Sequence, residues 1–429
     1  MIPIRKDYQQ FIADSHKQNS GSNRQDILDT LTSIKNAILE KGDEALCHYT
    51  HQFDKATLTP DTLFVTQQDI QDAYQKVPKE FINAIKIAHD NIYDFHSNQK
   101  PSNWEKSPRT GVTYGMQYSP IQSAGLYVPG GRAPYPSTVL MDAIPAKIAG
   151  VNQIIIATPP SSNGQIPPQI LVAADCCGVS QILKAGGSQA IFALAFGTNR
   201  VPRVNKIVGP GNIYVDLAKQ MVYGQVDIDK PAGPSDVLVY IDDIRFAHYA
   251  AAELLAQLEH DPLSVGITVA SDEDILKEIQ KHLTLQLQSL SRKSIIEDSI
   301  KNSALLLVEK NNCISTINTI APEHLVLLSE NHETLRKQIT TAGAIFCGAF
   351  TPVTLGDYFA GPNHVLPTSG TARFASPLSV MDFMRFSTHL TYSKETLLKE
   401  APHIEALTQM EGFDAHYKAV SCRSDDTMI

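Results

Sequence analysis

The sequence predicts an α/β protein with two units, each a mostly parallel sheet covered by helices on both faces. Three observations in the 429 residues predict this class. The N-terminal part is helical, short apolar strands then alternate with helices, and the same alternation starts again after about residue 235. Because parallel strands need long crossovers that are usually helical, this alternation is typical of such sheets.

The N-terminal part covers residues 24–100 and has helical periodicity. Apolar residues recur every three or four positions over residues 26–40, and Gly42 is the expected stop of this helix. A second helical stretch is predicted from about residue 67 to residue 97. Residues 1–23 are predicted to precede the helices as an N-terminal extension.

Two runs of alternating strands and helices follow, joined near residues 232–235. The strands of the first run begin at Ala124, Ile154, Gln181 and Lys206. The strands of the second run begin at Val237, Val265, Ala304, Leu325 and Ala344. From Pro377 onward the chain is predicted to be mainly helical and to end in a polar tail.

The composition argues against several classes of partner. Hydrophobic residues make up 43% and charged residues 19% of the chain, and the formal net charge is -9. A negative charge without a long basic run argues against nucleic acid or an anionic membrane as the main partner. The sequence opens without a signal-peptide pattern and has no apolar run long enough to span a bilayer, so a cytoplasmic protein is expected.

Two glycine turns raise the question of a dinucleotide site. The usual fingerprint is GxGxxG between a strand and a helix, and the run Gly209-Pro-Gly211-Asn-Ile-Tyr214 has Tyr214 in place of the third glycine. The turn Gly186-Gly187-Ser-Gln189 stands at another predicted strand-to-helix junction. Such turns either hold a pyrophosphate on bare N–H groups or are plain tight turns, and the pattern leaves both readings open.

A carboxylate and an imidazole stand side by side after Pro322. Neighbouring residues on an extended segment point in different directions, so Glu323 and His324 could approach one substrate from two sides. This arrangement suits an enzyme that needs two separate proton acceptors, although the same pair is also found in ordinary solvated loops.

Four further residues are candidates for a metal site. Gln257 and His260 are three apart on a predicted helix and share a face, but two ligands are too few for zinc. Asp357 lies on a loop rich in Gly and Pro, and His416 is the other candidate. Spacing alone leaves open whether these residues meet.

The motifs taken together carry a resemblance over nearly the whole chain, as far as His416. Nine of them occur in order: Gly125-Leu-Tyr-Val-Pro-Gly-Gly131, Ala185-Gly-Gly-Ser-Gln-Ala190, Gly209-Pro-Gly-Asn212, Ala232-Gly-Pro-Ser-Asp236, Gln257-Leu-Glu-His260, Ala321-Pro-Glu-His324, Gly356-Asp357, Gly361-Pro-Asn-His364 and Glu411-Gly-Phe-Asp-Ala-His416. Each is weak alone, but nine in register are specific, and they closely resemble the histidinol dehydrogenase family.

The resemblance implies an enzyme of the last two steps of histidine biosynthesis. It would oxidise L-histidinol through L-histidinaldehyde to L-histidine, reduce two NAD molecules and use one zinc ion per subunit. The implied architecture is two incomplete Rossmann-like domains with helical extensions at both ends, which agrees with the missing third glycine. The implied domains are residues 24–126 with 235–378, which carry the metal and base residues, residues 127–234, which contact NAD, and residues 379–429, which dimerise.

The resemblance also implies a role for each motif residue. The implied zinc ligands are Gln257, His260, Asp357 and His416, and the implied proton acceptors are Glu323 and His324. The implied substrate contacts are Ser235, His364 and Glu411 together with Gln257, His260, His324, Asp357 and His416. The implied NAD contacts are Tyr127, Gln189 and Asn212. Family dimers share their active sites, so Glu411 and His416 are expected to complete the site of the partner subunit.

Three alternatives have different requirements. A related zinc-dependent alcohol or diol dehydrogenase would keep the metal ligands but change the substrate pocket, and Glu411 and His364 argue against it because both match the histidinol pattern. An aldehyde dehydrogenase that works through a thiolate would need an exposed and activated Cys. A nucleotide-binding regulator would not need both Glu323 and His324.

Overall fold

The computed structural model describes residues 1–11, 24–130, 134–230 and 233–424. Most of the predicted N-terminal extension and the motif positions Gly131 and Ala232 lie outside the described residues. The described part divides into two compact units. The first consists of Met1–Gln99 and Ile121–Phe383, and the second of Lys100–Pro120 and Met384–Ile429.

The strands are short and, in the first unit, mostly buried along their whole length. They are β1 (Ile4–Arg5), β2 (Trp104–Arg109), β3 (Val112–Pro120), β4 (Ser123–Tyr127), β5 (Gln153–Thr158), β6 (Gln181–Lys184), β7 (Lys206–Val208), β8 (Asp227–Ile228), β9 (Asp236–Ile241), β10 (Val265–Ala270), β11 (Ala304–Leu307), β12 (His324–Leu328), β13 (Ala344–Cys347) and β14 (Met384–Tyr392).

The helices follow the strands as the alternation predicts, after an N-terminal group of four. They are α1 (Arg24–Lys41), α2 (Asp43–Asp54), α3 (Gln67–Lys76), α4 (Lys79–Ser97), α5 (Pro136–Ala149), α6 (Pro168–Cys176), α7 (Gly187–Phe196), α8 (Ile213–Val222), α9 (Ala247–Leu258), α10 (Glu273–Leu287), α11 (Lys293–Ser299), α12 (Cys313–Ile320), α13 (His332–Arg336), α14 (Val353–Tyr358), α15 (Lys394–Glu411) and α16 (Asp414–Ser421).

Two parallel sheets form the core of the first unit. The larger has the order β1-β11-β10-β9-β12-β13 and the smaller the order β6-β5-β4-β7-β8. Without the edge strand β1, the spatial order in each sheet is the third, second, first, fourth and fifth strand in chain order. The strand order therefore reverses beside the first strand of each sheet. At the carboxyl ends of the strands, this reversal point is the usual ligand crevice of a doubly wound sheet. The predicted class, α/β with parallel-rich sheets, is confirmed.

Burial explains why these segments form the sheets. All six residues of β9 are buried, and the apolar face of α9 packs against it through Ala250, Ala251 and Leu254. An unbroken apolar run of this kind is stable only where both faces of the sheet are covered, as in parallel sheets. Among the residues described, no helix combines the length and apolar character needed to cross a membrane.

The second unit has a different architecture. Its sheet is antiparallel in the order β14-β3-β2, and α15 and α16 follow it. The prediction of a mainly helical chain from Pro377 missed the nine-residue strand β14. Most of β14 is exposed, so it lacks the apolar run that revealed the buried strands, and only its pairing with β3 identifies it.

Candidate active site

Glu323 and His324 lie at the amino edge of the six-stranded sheet, where β12 begins. Helix α12 ends just before them because Ala321 adopts a left-handed conformation (φ 54°) and its N–H caps the helix on the Ile317 carbonyl. Pro322 then cannot continue a helix, and the chain extends into β12. Strand β12 neighbours β9, so the pair stands at the reversal point of the sheet.

The first residue of β9 holds both side chains. Asp236 N–H donates to Glu323 Oε2 at 2.9 Å, and Glu323 N–H donates to Asp236 Oδ1 at 2.9 Å. His324 Nδ1 lies 3.0 Å from the Asp236 carbonyl oxygen, so Nδ1 carries the proton and donates. The remaining imidazole nitrogen, Nε2, is therefore the basic one when the ring is neutral.

The environment of the pair shifts both pKa values. Burial raises the pKa of Glu323 to about 8, with a further contribution from the Asp236 carboxylate, although the His324 imidazole opposes it. Burial lowers the pKa of His324, but the carboxylates of Glu323 and Asp357 outweigh it and raise the value to about 9. His324 Nε2 lies 3.7 Å from Asp357 Oδ1 and has no hydrogen-bond partner among the described residues.

The candidate metal ligands of the first unit lie on two helix ends at the same sheet edge. Gln257 is buried near the end of α9, and His260 follows that helix. Asp357 stands near the end of α14. Desolvation lowers the pKa of His260, and the His324, His364 and His260 imidazoles outweigh burial to lower the pKa of Asp357. The two pKa shifts favour the neutral form of the His260 imidazole and the ionised form of the Asp357 carboxyl.

These residues do not form a complete metal cluster by themselves. Across the described ranges, no group of three or more His, Cys, Asp or Glu side chains is placed to hold a metal ion. His260 and Asp357 are the two donors of these types in the predicted set of the first unit, since Gln257 is an amide. His416 lies in the second unit, exposed, with its ring 5.0 Å from that of Phe413. Glu411 ends α15 in the same unit and is also exposed.

His364 connects the two sheets of the first unit. Its Nδ1 lies 2.8 Å from the Asp357 carbonyl oxygen, and its Nε2 lies 3.4 Å from the Thr138 hydroxyl on α5. Burial lowers its pKa, so the ring is neutral, with Nδ1 donating and Nε2 accepting. Ser235 lies half-buried just before β9, and its carbonyl accepts from Val265 N–H at 3.0 Å.

The candidate NAD residues lie at the carboxyl edge of the five-stranded sheet. Tyr127 ends β4, and its hydroxyl accepts from Gly187 N–H at 3.0 Å. Gln189 is buried in the first turn of α7, and both atoms of its amide lack a hydrogen-bond partner in the part of the chain described. Asn212 caps α8, with Oδ1 accepting from Tyr214 and Val215 N–H groups. These residues lie at or after the ends of β4, β6 and β7, and the sheet reverses between β4 and β7.

A buried ion pair supports the loop after β7, and the sequence did not reveal it. Lys219 pairs with Asp229, and the Lys219 ammonium donates to the Gly209 carbonyl at 2.9 Å. Asp229 Oδ2 accepts from Gly209 N–H at 2.9 Å. The sequence spacing of ten residues between the glycine turn and the Lys does not indicate this contact. The two meet only because the helix that carries Lys219 packs back over the turn.

Replacement of Gly209 by Ala is expected to destabilise the chain. Gly209 has φ +115°, and a Cβ there would collide with the Tyr127 carbonyl oxygen. Gly224 is a matched control, since its φ is +93° but a Cβ there meets nothing within 4 Å. We expect Gly224→Ala to cost about 1–3 kcal/mol of backbone strain and Gly209→Ala about 1–3 kcal/mol more for the collision. Thermal unfolding of both variants measures the difference, and equal midpoints would contradict it.

The fold and this site define an enzyme of the α/β class, with a buried carboxylate and imidazole beside one sheet reversal and a glycine turn before a helix capped by Asn212 at the other. A model of the histidinol dehydrogenase family matches residues 17–424. The chain belongs to the histidinol dehydrogenase family and is an oxidoreductase.

Individual relatives agree along nearly their full length. The histidinol dehydrogenase of Clostridium acetobutylicum is 44% identical over 411 residues, which is 95% of each chain. That of Oceanobacillus iheyensis is 45% identical over 412 residues, or 96% of each chain. The crystal structure of the histidinol dehydrogenase from Elizabethkingia anophelis is similar to this fold with a TM-score of 0.93, at 38% identity and 98% coverage of both chains.

Proposed function

We propose that the chain oxidises L-histidinol through L-histidinaldehyde to L-histidine, with two NAD molecules as hydride acceptors and one zinc ion per subunit. The observation that carries the proposal is the buried pair Glu323 and His324. Both side chains hydrogen-bond to the backbone of Asp236, beside the reversal point of the larger sheet. The proposed substrate is inferred from the relatives named histidinol dehydrogenase, because their similarity extends over nearly the whole chain.

His324 acts as the base in both oxidations. Its Nδ1–H donates to the Asp236 carbonyl, so Nε2 of the neutral ring takes the proton of the substrate hydroxyl while hydride leaves the carbinol carbon for NAD. The pKa of about 9 makes this neutral form more abundant as the pH rises towards that value. Such a base contributes about 10²–10⁴-fold to the rate. The carboxylate of Asp357, 3.7 Å from Nε2, stabilises the imidazolium that forms.

Glu323 acts only in the second half-reaction, the oxidation of the aldehyde to the acid. The aldehyde has to be hydrated before a second hydride can leave, and Glu323 takes a proton from the attacking water. A pKa of about 8 brings its proton transfer close to neutral pH, which suits a base that must also release the proton. Both side chains are buried, so an aldehyde bound against them would lie away from bulk solvent.

The proposed zinc ligands are Gln257, His260 and Asp357 of one subunit and His416 of the partner subunit. The neutral imidazole of His260 and the ionised carboxylate of Asp357 suit zinc, which takes N and O ligands with a coordination number of four. The ion would bind the substrate nitrogens and so orient the carbinol carbon. Ser235, His364 and Glu411 are the further proposed substrate contacts.

The proposed NAD contacts are Tyr127, Gln189 and Asn212. The buried Gln189 amide, which is without a partner among the described residues, supports a ligand at this position, because such groups are costly when unpaired. The Asn212 Oδ1 is used by the helix cap, so its Nδ2 is the atom left for NAD. NAD supplies the hydride acceptor, and the N-terminus of α8 suits its negative phosphates.

We further propose a homodimer with shared sites, located in the cytoplasm. The second unit exposes many large apolar side chains, which is typical of a surface that another protein covers. They are Trp104, Tyr114, Phe386, Leu390, Leu398, Leu407, Met410 and Phe413. A second copy of the chain would bury this surface and bring Glu411 and His416 to the site of its partner.

Removal of zinc is expected to abolish histidinol oxidation, and added zinc to restore it. His260→Ala should lower both zinc content and turnover, whereas His282→Ala, on the surface helix α10, should change neither. The measurements are zinc content by elemental analysis and NADH formation with histidinol, with simple diols as alternative substrates. Full turnover in metal-free protein would contradict the metal role, and faster oxidation of a diol would contradict the substrate.

A further inference from the structure

We propose that Asp236 is a positioning residue that sets both proton acceptors, with its backbone holding the His324 ring and its carboxylate holding the Glu323 segment. The inference rests on the proposed function, since it assigns to Asp236 an effect on the two bases of that reaction. Asp236 acts through these groups and does not itself react.

The position of Asp236 in the sheet explains why a side-chain oxygen is required there. The ladder between β9 and β12 begins with Val237 opposite His324, so the N–H groups of Asp236 and Glu323, just before that pair, have no backbone partner in this ladder. The Asp236 and Glu323 side chains meet those amides reciprocally, each at 2.9 Å. The two carboxylates thereby extend the ladder by one step, and buried N–H groups require such partners.

The same contacts decide which atom of each base can accept a proton. Glu323 Oε2 is occupied by the Asp236 N–H, which leaves Oε1 for the proton of water. His324 Nδ1–H is occupied by the Asp236 carbonyl, which leaves Nε2 for the proton of the substrate. The carboxylate of Asp236 anchors the Glu323 amide, so it controls where Oε1 stands relative to the substrate.

Asp236 is itself held by the segment before Gly370. Burial raises the pKa of the Asp236 carboxyl, and the nearby Ser369 backbone opposes this rise. Ser369 itself adopts a left-handed conformation with φ 53°. The neighbouring Thr368 hydroxyl accepts from Gly233 N–H at 2.6 Å. This packing leaves Asp236 9% exposed and gives its carboxylate little freedom to move.

Two substitutions separate geometry from charge. Asp236→Asn keeps an oxygen at the position that accepts from Glu323 N–H but removes the charge. Asp236→Glu keeps the charge but moves the carboxylate by one methylene. If Asp236 acts by position, Asn should retain most of the turnover, while Glu should lose about 10²-fold in kcat for histidinaldehyde oxidation, the cost typical of a misplacement of about 1 Å.

The loss should fall mainly on kcat of the aldehyde half, with KM for histidinol and zinc content little changed. In a Glu323→Gln background, Asp236→Glu should add less than about threefold to the loss in that half, because the two residues act as one unit. A matched control is Asp242→Ala at the other end of the same strand pair, where Asp242 accepts from the Ser329 hydroxyl at 2.7 Å. This control should lower the unfolding temperature without changing the ratio of the rates of the alcohol and aldehyde half-reactions.

Each outcome decides the matter. A charge role would make Asp236→Asn less active than Asp236→Glu, and a purely structural role would make Asp236→Glu behave like Asp242→Ala; either result overturns the inference. If Glu323→Gln is impaired in aldehyde oxidation while Asp236→Glu has wild-type kcat, only the role of Asp236 fails. If Glu323→Gln oxidises the aldehyde normally, the proposed function fails first. If Asp236→Glu folds poorly, Asp236→Asn still tests the inference. A selective loss of aldehyde oxidation in Asp236→Asn would also contradict a positioning role.

Discussion

His324→Ala is expected to slow both hydride transfers by about 10²–10⁴-fold, whereas Glu323→Gln is expected to slow only the aldehyde-to-acid half by a similar factor. The difference follows from the proposed chemistry, since a proton leaves the substrate hydroxyl in each oxidation but water is activated only in the second. The Gln side chain keeps an oxygen for the Asp236 N–H, so the change removes a base without removing the contact seen at 2.9 Å.

The measurement supplies histidinol and histidinaldehyde separately to each variant and follows NADH in a single turnover. Glu253→Gln is a suitable control, because Glu253 is a second buried glutamate of the same region and accepts from Val353 N–H at 3.2 Å. It should leave the ratio of the two half-reactions unchanged. Equal damage to both halves by Glu323→Gln would show that the two roles have been assigned wrongly.

Refolded mixtures of His324→Ala and His416→Ala chains are expected to recover about a quarter of wild-type activity. If each site takes His416 from the partner subunit, a mixed dimer contains one site with both defects and one with neither. Random pairing makes half of the dimers mixed, and half of their sites are then intact. If His416 instead completes the site of its own chain, every site carries one defect and the recovery is nil.

The experiment unfolds the two inactive chains, refolds them together and isolates the mixed dimer through two different affinity tags. Histidine formation is measured in the whole refolded mixture, where about a quarter of wild-type activity is expected, and in the isolated mixed dimer, where one of the two sites is intact and about half is expected. Each variant refolded alone is the comparison. A control mixture of His324→Ala with Glu323→Gln places both defects in the same unit, so no intact site can form and recovery should stay at background. Activity in the control, or none in verified mixed dimers, would contradict shared sites.

Local sequence patterns were sufficient for most of the fold. The run Asp236–Ile241 is read as a buried strand because every residue of it suits a covered sheet, and the helix Gly187–Phe196 follows from its glycine turn. The strand Met384–Tyr392 was missed, because an exposed strand carries no apolar run and is defined by its antiparallel partner Val112–Pro120. Edge and exposed strands depend on pairing, which is not visible in a short window.

The candidate site was also predictable from the sequence only in part. Glu323 and His324 could be named from the sequence, because a proline followed by two proton acceptors is a local pattern. The sequence did not reveal that Asp236, 87 residues earlier, holds them through three hydrogen bonds. That contact requires the register that places His324 opposite Val237, and the packing of a whole parallel sheet sets this register.

The edge on which each group lies was also decided by the tertiary structure alone. Tyr127 stands at the carboxyl end of β4, where a doubly wound sheet usually binds its ligand. Glu323 and His324 stand at the amino end of β12, and the ends of α9 and α14 bring Gln257 and Asp357 to that same edge. By itself the sequence determined the residue types, their order and the elements that carry them, since side-chain chemistry and periodicity are local properties. Which ends of two sheets meet a substrate depends on contacts between segments up to hundreds of residues apart, such as Thr138 with His364, and only the packed chain brings these together.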